Sequence, residues 1–259
     1  MVSDASLRSL SPSRIVWLIF ALTLSLSCRH QPPIDTVPVT PPAPPALVMA
    51  AVDGSRSFGA FVPGAVLRWE SVLKQIPPGS TVYLRWLTSD SYPATNAIAV
   101  ATLPLPPPNS SSNPFARRGR AVLAQAQQHR AAAETALIEA LAQTPTPRSQ
   151  RTDLDGFLVV CAERFAAKPN VPHLVVVFSD LDANVSRYSK MLSSTALAGA
   201  TVLVVSYQPA SPNARAVRLA QFRRLGATMV YLLGPDEPLP SNLLPSVESL
   251  PTTATRKPA

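Results

Sequence analysis

Cysteine and histidine are scarce in this chain. Two Cys and three His in 259 residues are too few and too scattered for a Cys/His zinc site. Charge is sparse as well: Asp, Glu, Lys and Arg make up 15%, and the surplus that gives +8 is spread along the chain rather than gathered into a basic block. That spread argues against nucleic acid as a partner. The apolar run Ile15 to Ser27 counts thirteen residues, short of the roughly 20 a membrane helix needs. No Gly-x-Gly-x-x-Gly or phosphate-loop pattern follows the first apolar strand, which removes the usual cradle for a nucleotide.

Apolar residues are plentiful at 46%, enough for a conventional core. Proline is in excess: seven of the 29 fall between Pro32 and Pro45 and six between Pro235 and Pro258. Both ends therefore read as extended and proline-rich, residues 28–45 as a tether and 235–259 as a disordered tail. Residues 46–234 form the expected globular domain. Ahead of the tether, Arg8 and Arg14 precede the thirteen-residue run, the pattern of a signal peptide over residues 1–27. The stretch Leu24-Ser25-Leu26-Ser27-Cys28 resembles a bacterial lipobox, with Ser25 where leucine is usual. The resemblance implies export, lipidation of Cys28, and an anchor in the cell or outer membrane on its periplasmic or extracellular face. Cys161 then lacks a disulfide partner; it shares an apolar helical face with Leu154, Leu158 and Phe165, the setting of a buried inert thiol.

Between the tails, strand and helix patterns alternate. Leu47 to Val52 and His173 to Phe178 are continuous apolar runs, as in strands buried on both faces. Thr81 to Leu87, Ala97 to Leu103, Thr201 to Tyr207 and Thr228 to Leu233 complete six strands. Helical spacing covers Val66 to Ile76, Arg117 to Gln143, Thr152 to Ala167, Asn184 to Leu197 and Asn213 to Leu225. Asn184 and Asn213 stand at N-cap positions, and Gly199 and Gly226 follow the last two helices. Residues 104–145 read as an insert that carries the long helix, free to cap a site, bind a partner or pack on the sheet. The expected class is α/β: a doubly wound, mostly parallel six-stranded sheet with helices on both faces. Ligands bind such sheets beyond the carboxyl ends of the strands, where strand order reverses.

The residues at those ends are oxygen-rich. Asp53-Gly54-Ser55-Arg56-Ser57 follows the first strand, Ser179-Asp180-Leu181-Asp182 follows the fourth, and Thr152-Asp153 opens the helix between. An all-oxygen set suits a hard divalent cation such as Mg²⁺ or Mn²⁺. Asp53-x-Ser55-x-Ser57, with Thr152 and Asp180 following in order, resembles the metal-ion-dependent adhesion site of von Willebrand factor A domains. The resemblance covers about Leu47 to Leu233. It implies that Ser55, Ser57 and Thr152 hold the metal directly, that Asp53 and Asp180 hold it through water, and that a carboxylate of a protein or surface ligand completes the shell. This chain departs from the family pattern at Leu181, commonly glycine, and in its 95-residue interval from Ser57 to Thr152. Asp153 and Asp182 are further carboxylates at the same edge; Asp153, like Asp155, is equally readable as a first-turn carboxylate favoured by the helix dipole.

Two other classes stand beside this non-enzymatic binding reading. Asp53, Asp180 and Asp182 could serve a metal-dependent transferase or hydrolase. The domain could instead be a metal-free scaffold acting through the insert helix. A Ser/His/Asp hydrolase is disfavoured, since His30 lies in the tether, His129 on the long helix and His173 at a strand start.

Overall fold

The computed structural model describes residues 43–105, 117–182, 185, 187–209, 211 and 213–244. The segments expected to be a signal peptide and a tether, Cys28 included, lie almost wholly outside the described residues, as do residues 106–116 and those from 245 onward. Among the described residues no helix is long and apolar enough to cross a membrane.

Six strands form one sheet: β1 (Leu47–Asp53), β2 (Thr81–Leu87), β3 (Ala97–Thr102), β4 (His173–Phe178), β5 (Thr201–Val205) and β6 (Met229–Leu233). Their order is β3-β2-β1-β4-β5-β6. All pairs are parallel except β2 with β3. The helices are α1 (Val62–Leu73), α2 (Arg117–Gln143), α3 (Leu154–Ala166) and α4 (Ala214–Arg224). This is the doubly wound α/β architecture the apolar strands call for.

Alternation along the strands divides the core in two. Leu47, Met49 and Ala51 of β1 face α3 and α4 together with Val175, Val177, Val202 and Val204. Val48, Ala50 and Val52 face α1 with Leu174, Val176, Phe178 and Trp69. Both faces of β1 and β4 are covered, so these strands contain no polar residue before their ends apart from His173.

The long helix α2 is a member of the second layer. Its carboxyl half buries Leu137 and Leu141 against α1 and the sheet, and Arg130 donates to the carbonyls of Leu73 and Ile76, closing the end of α1. Val122, in the amino half, is exposed.

Two expectations are corrected. No α-helix forms among the described residues of 184–197; a 3-10 turn at Ser189–Met191 and successive turns take its place. Here the amides of Leu197 and Gly199 bond to the carbonyls of Leu225 and Gly226 instead of to their own preceding turn. Ser193 also accepts from the Thr195 amide, the local competition that Ser and Thr offer to helix. Asn213 takes the expected N-cap position of α4, although its side chain makes no capping bond; the Ala214 amide bonds to the Ser211 carbonyl. The globular part also extends past residue 234, because Leu243 is buried beside α1 and Arg68 donates to the carbonyls of Pro235 and Glu237.

Candidate metal centre

Strand order reverses between β1 and β4, which pair in parallel from Leu47 opposite His173 to Val52 opposite Phe178. The next residues, Asp53 and Ser179, therefore emerge side by side at the carboxyl edge of the sheet. The amino end of α3 brings Thr152 to the same point. Strand pairing thus assembles residues up to 126 positions apart.

Asp53 is the centre of the cluster and is fully buried. Its Oδ1 accepts from the Ser55 amide at 2.8 Å, and its Oδ2 accepts from the Ser179 hydroxyl at 2.6 Å. The Thr152 hydroxyl lies 3.2 Å and 3.3 Å from the two carboxylate oxygens. Burial pushes the Asp53 carboxyl up from its ordinary range; the Ser179 and Ser55 hydrogen bonds oppose that rise and the charge of Asp180 adds to it. No cation side chain neutralises this carboxylate among the described residues. The Ser55 and Ser57 hydroxyls lie 3.0 Å apart, with Ser55 buried and Ser57 exposed.

This donor set fits a hard cation. Adjacent ligands of an octahedral Mg²⁺ bound at about 2.1 Å lie about 3 Å apart, and the two serine oxygens already hold that spacing. A buried carboxylate held up in its pKa and repelled by a second carboxylate has an unmet demand for positive charge. The hydroxyl donors that face Asp53 are neutral and supply none of that charge.

The other carboxylates are placed differently. Asp180 is half-buried, and its Oδ1 accepts from the Asp182 amide at 3.0 Å, while the Asp182 side chain is exposed. Asp153 is not a free ligand. It caps α3, with Oδ1 accepting from the Gly156 amide at 2.9 Å and Oδ2 from the Ser91 amide at 3.0 Å. Asp155 is buried one residue into the helix; burial raises its pKa first and the Asp153 charge second, against a lowering by Arg218. Among the described residues no three of His, Cys, Asp and Glu converge to hold one ion, so Asp53, Asp180 and Asp182 do not form a three-carboxylate centre. His173 pairs with Leu47 at the far end of the sheet, about 20 Å of strand from Asp53. It is buried and stacked on Phe165, and burial lowers its pKa. Cys161 is buried and free, and burial pushes its thiol up, the state of an inert core residue.

Two site features escape the linear pattern. Ser179 makes the shortest bond to Asp53 and also accepts from the Leu181 amide at 2.9 Å; only the β1/β4 register would have revealed it. The second is the loop at residues 145–151. Ser149 forms a parallel bridge with Ser55, with the Arg56 amide donating to the Ser149 carbonyl and the Ser149 amide to that of Gly54. Gly54 is required there, since a Cβ would lie 2.9 Å from Pro147 and 3.1 Å from the Leu87 carbonyl.

Leu181 accounts for one departure from the family pattern. Its φ is 59°, the left-handed region where glycine is unstrained. A buried leucine survives there because its side chain packs with Leu154 and Phe157 in the core. Both truncations remove that packing, so Leu181→Ala should cost about 2–4 kcal/mol. Leu181→Gly also relieves the backbone and should cost about 1 kcal/mol less than alanine. Denaturant titration of the pair checks this order, which is the reverse of that in ordinary backbone.

No protein-family model and no curated protein matches the chain. Solved structures do. A von Willebrand factor type A structure from Catenulispora acidiphila is 11% identical at a TM-score of 0.42, over 74% of this chain and 39% of that one. An aerotolerance-related membrane protein from Bacteroides fragilis is 12% identical at 0.45, over 73% and 90%. Proximal thread matrix protein 1 from the mussel byssus, with zinc in its MIDAS motif, is 11% identical at 0.38, over 62% and 37%. The chain thus spans well under half the length of the first and third.

Proposed function

We propose that this chain is a binding module that holds a divalent cation, Mg²⁺ or Mn²⁺, with Ser55, Ser57, Thr152, Asp53 and Asp180, and through it a carboxylate of a protein or surface ligand. The observation that carries this reading is the serine pair 3.0 Å apart beside a buried Asp53 that only hydroxyls and an amide satisfy. A bound cation would supply positive charge to Asp53 and an open coordination position for a carboxylate. Asp53 orients the Thr152 and Ser179 hydroxyls and the Ser55 amide, so the site is organised before ligand arrives.

The reading includes no catalysis. Among the described residues the three carboxylates of the transferase alternative do not converge on one ion. The scaffold alternative is narrowed to the amino half of α2, because the carboxyl half is committed to the core. We further propose that the module is exported and tethered through Cys28, with residues 28–45 as the spacer.

Calorimetric titration of the full chain with Mg²⁺ and Mn²⁺ tests the site. Binding should be lost in Ser55→Ala/Ser57→Ala, while stability without metal falls by no more than about 1–2 kcal/mol, because Ser57 is exposed and the Ser55 hydroxyl gives up only its contacts to Ser57, to the Phe58 amide at 3.4 Å and to Asp53. Undiminished binding in the double variant would remove the proposed centre.

A further inference from the structure

Beside Ser55 the surface opens into a depression of about 700 Å³ lined by Ser55, Arg56, Gly59, Pro145, Thr146 and Arg148. Two loops far apart in sequence build it, and the hydrogen bonds between Gly54, Arg56 and Ser149 hold them together. Both arginines are exposed. Among the described residues neither forms an ion pair, and no carboxylate lines the depression. Arg151, also exposed, follows on the same loop. The cation site is therefore bordered on one side by guanidinium groups that the fold itself does not use.

We propose that this depression receives an acidic polypeptide segment with several neighbouring carboxylates, one taken by the site cation and the others by Arg56 and Arg148. The inference rests on the cation-binding reading above and adds the partner's chemistry to it. A guanidinium offers a planar fork that matches a carboxylate through two parallel hydrogen bonds. Unpaired arginines at the rim also repel cationic segments, so the collar selects as well as attracts. A nucleic acid is the weaker fit, since affinity for a phosphate backbone comes from a row of about 6–10 contacts, and here two arginines stand in one compact depression.

The test uses the full chain with saturating Mg²⁺ and two fluorescent peptides of equal length, one with a single Glu among Gly and Ser, one with three Glu. Anisotropy should show the three-Glu peptide binding about tenfold more tightly, with an advantage that shrinks as salt rises. Arg148→Gln should reduce the advantage to about twofold and leave the single-Glu peptide where it was; Arg148→Lys should fall between, keeping charge without the fork. Equal binding of the two peptides, or an advantage that survives Arg148→Gln, overturns the inference. So does displacement of the three-Glu peptide by inorganic phosphate or a single-stranded oligonucleotide at lower concentration than by its own unlabelled form. Failure of the underlying reading looks different: single-Glu binding would then be insensitive to chelator and Mg²⁺ would give no heat, whereas Mg²⁺-dependent single-Glu binding without a three-Glu advantage overturns only the collar.

Discussion

An asparagine at position 53 is expected to leave the metal-free chain folded and to erase its stabilisation by Mg²⁺. Asp53 is fully buried and, among the described residues, its charge meets the Ser55 amide and the Ser55, Ser179 and Thr152 hydroxyls and no cation. Asparagine keeps a carbonyl for the Ser55 amide and offers its NH₂ to a hydroxyl that can turn to accept. The isosteric change also removes a buried charge with no cationic neighbour, so metal-free stability should hold or rise by about 1 kcal/mol. The loaded wild type behaves differently. At a hundred times its dissociation constant, a ligand of the native state adds about 2.7 kcal/mol, which corresponds to a rise in Tm of about 5–10 °C for a domain of this size. Asp53→Asn should show almost none of it. Thermal unfolding with Mg²⁺ and with chelator checks both halves. An equal Mg²⁺ gain in wild type and variant would place the cation elsewhere, and a metal-free loss of several kcal/mol would make Asp53 a part of the fold alone.

The neighbouring carboxylate should behave in the opposite way. Asp153→Ala is expected to cost about 2–4 kcal/mol without metal and to retain the Mg²⁺ gain. The first component is the lost cap on the Gly156 amide, about 1 kcal/mol. The second is the Ser91 amide, buried and left without its acceptor, about 1–3 kcal/mol. Asp153 ties the start of α3 to the loop at 88–96, where its own amide donates to the Thr88 carbonyl. Arg85 holds the same loop through the carbonyls of Ser91, Tyr92 and Pro93. Hydrogen exchange should therefore rise at the Ser91 amide first. A fall in Tm of about 5–15 °C is expected. Should the variant keep its stability and lose Mg²⁺ instead, Asp153 would be a ligand and not a cap.

The contrast between Asp53 and Asp153 marks where reading the sequence stops. Asp53 ends a strand and Asp153 precedes a helix, each with serine or threonine nearby, and composition does not separate them. Their roles diverge because the Asp153 oxygens meet two backbone amides that cannot turn away, whereas those of Asp53 meet mainly hydroxyls that can. The stretch at 184–197 shows the same limit for secondary structure. Leu192, Ala196 and Leu197 have helical spacing, and Ala196 and Leu197 are buried in the core, yet the amides of Leu197 and Gly199 find partners across the loop after α4. Burial rewards the apolar pattern in either backbone, so the pattern does not choose between them.

Local chemistry determined what could be read one segment at a time: six apolar or alternating strands, the helices Val62–Leu73, Arg117–Gln143, Leu154–Ala166 and Ala214–Arg224 to within a few residues, and an oxygen-rich motif after the first strand. These follow from side-chain periodicity, which is carried by neighbours in the chain. Tertiary structure alone decided that Ser179 bonds Asp53, that Leu181 can occupy left-handed backbone, and that Arg148 stands beside Ser55. Each depends on strand register or on a loop pinned across about a hundred residues, and register is settled only when both faces of the sheet find their cores.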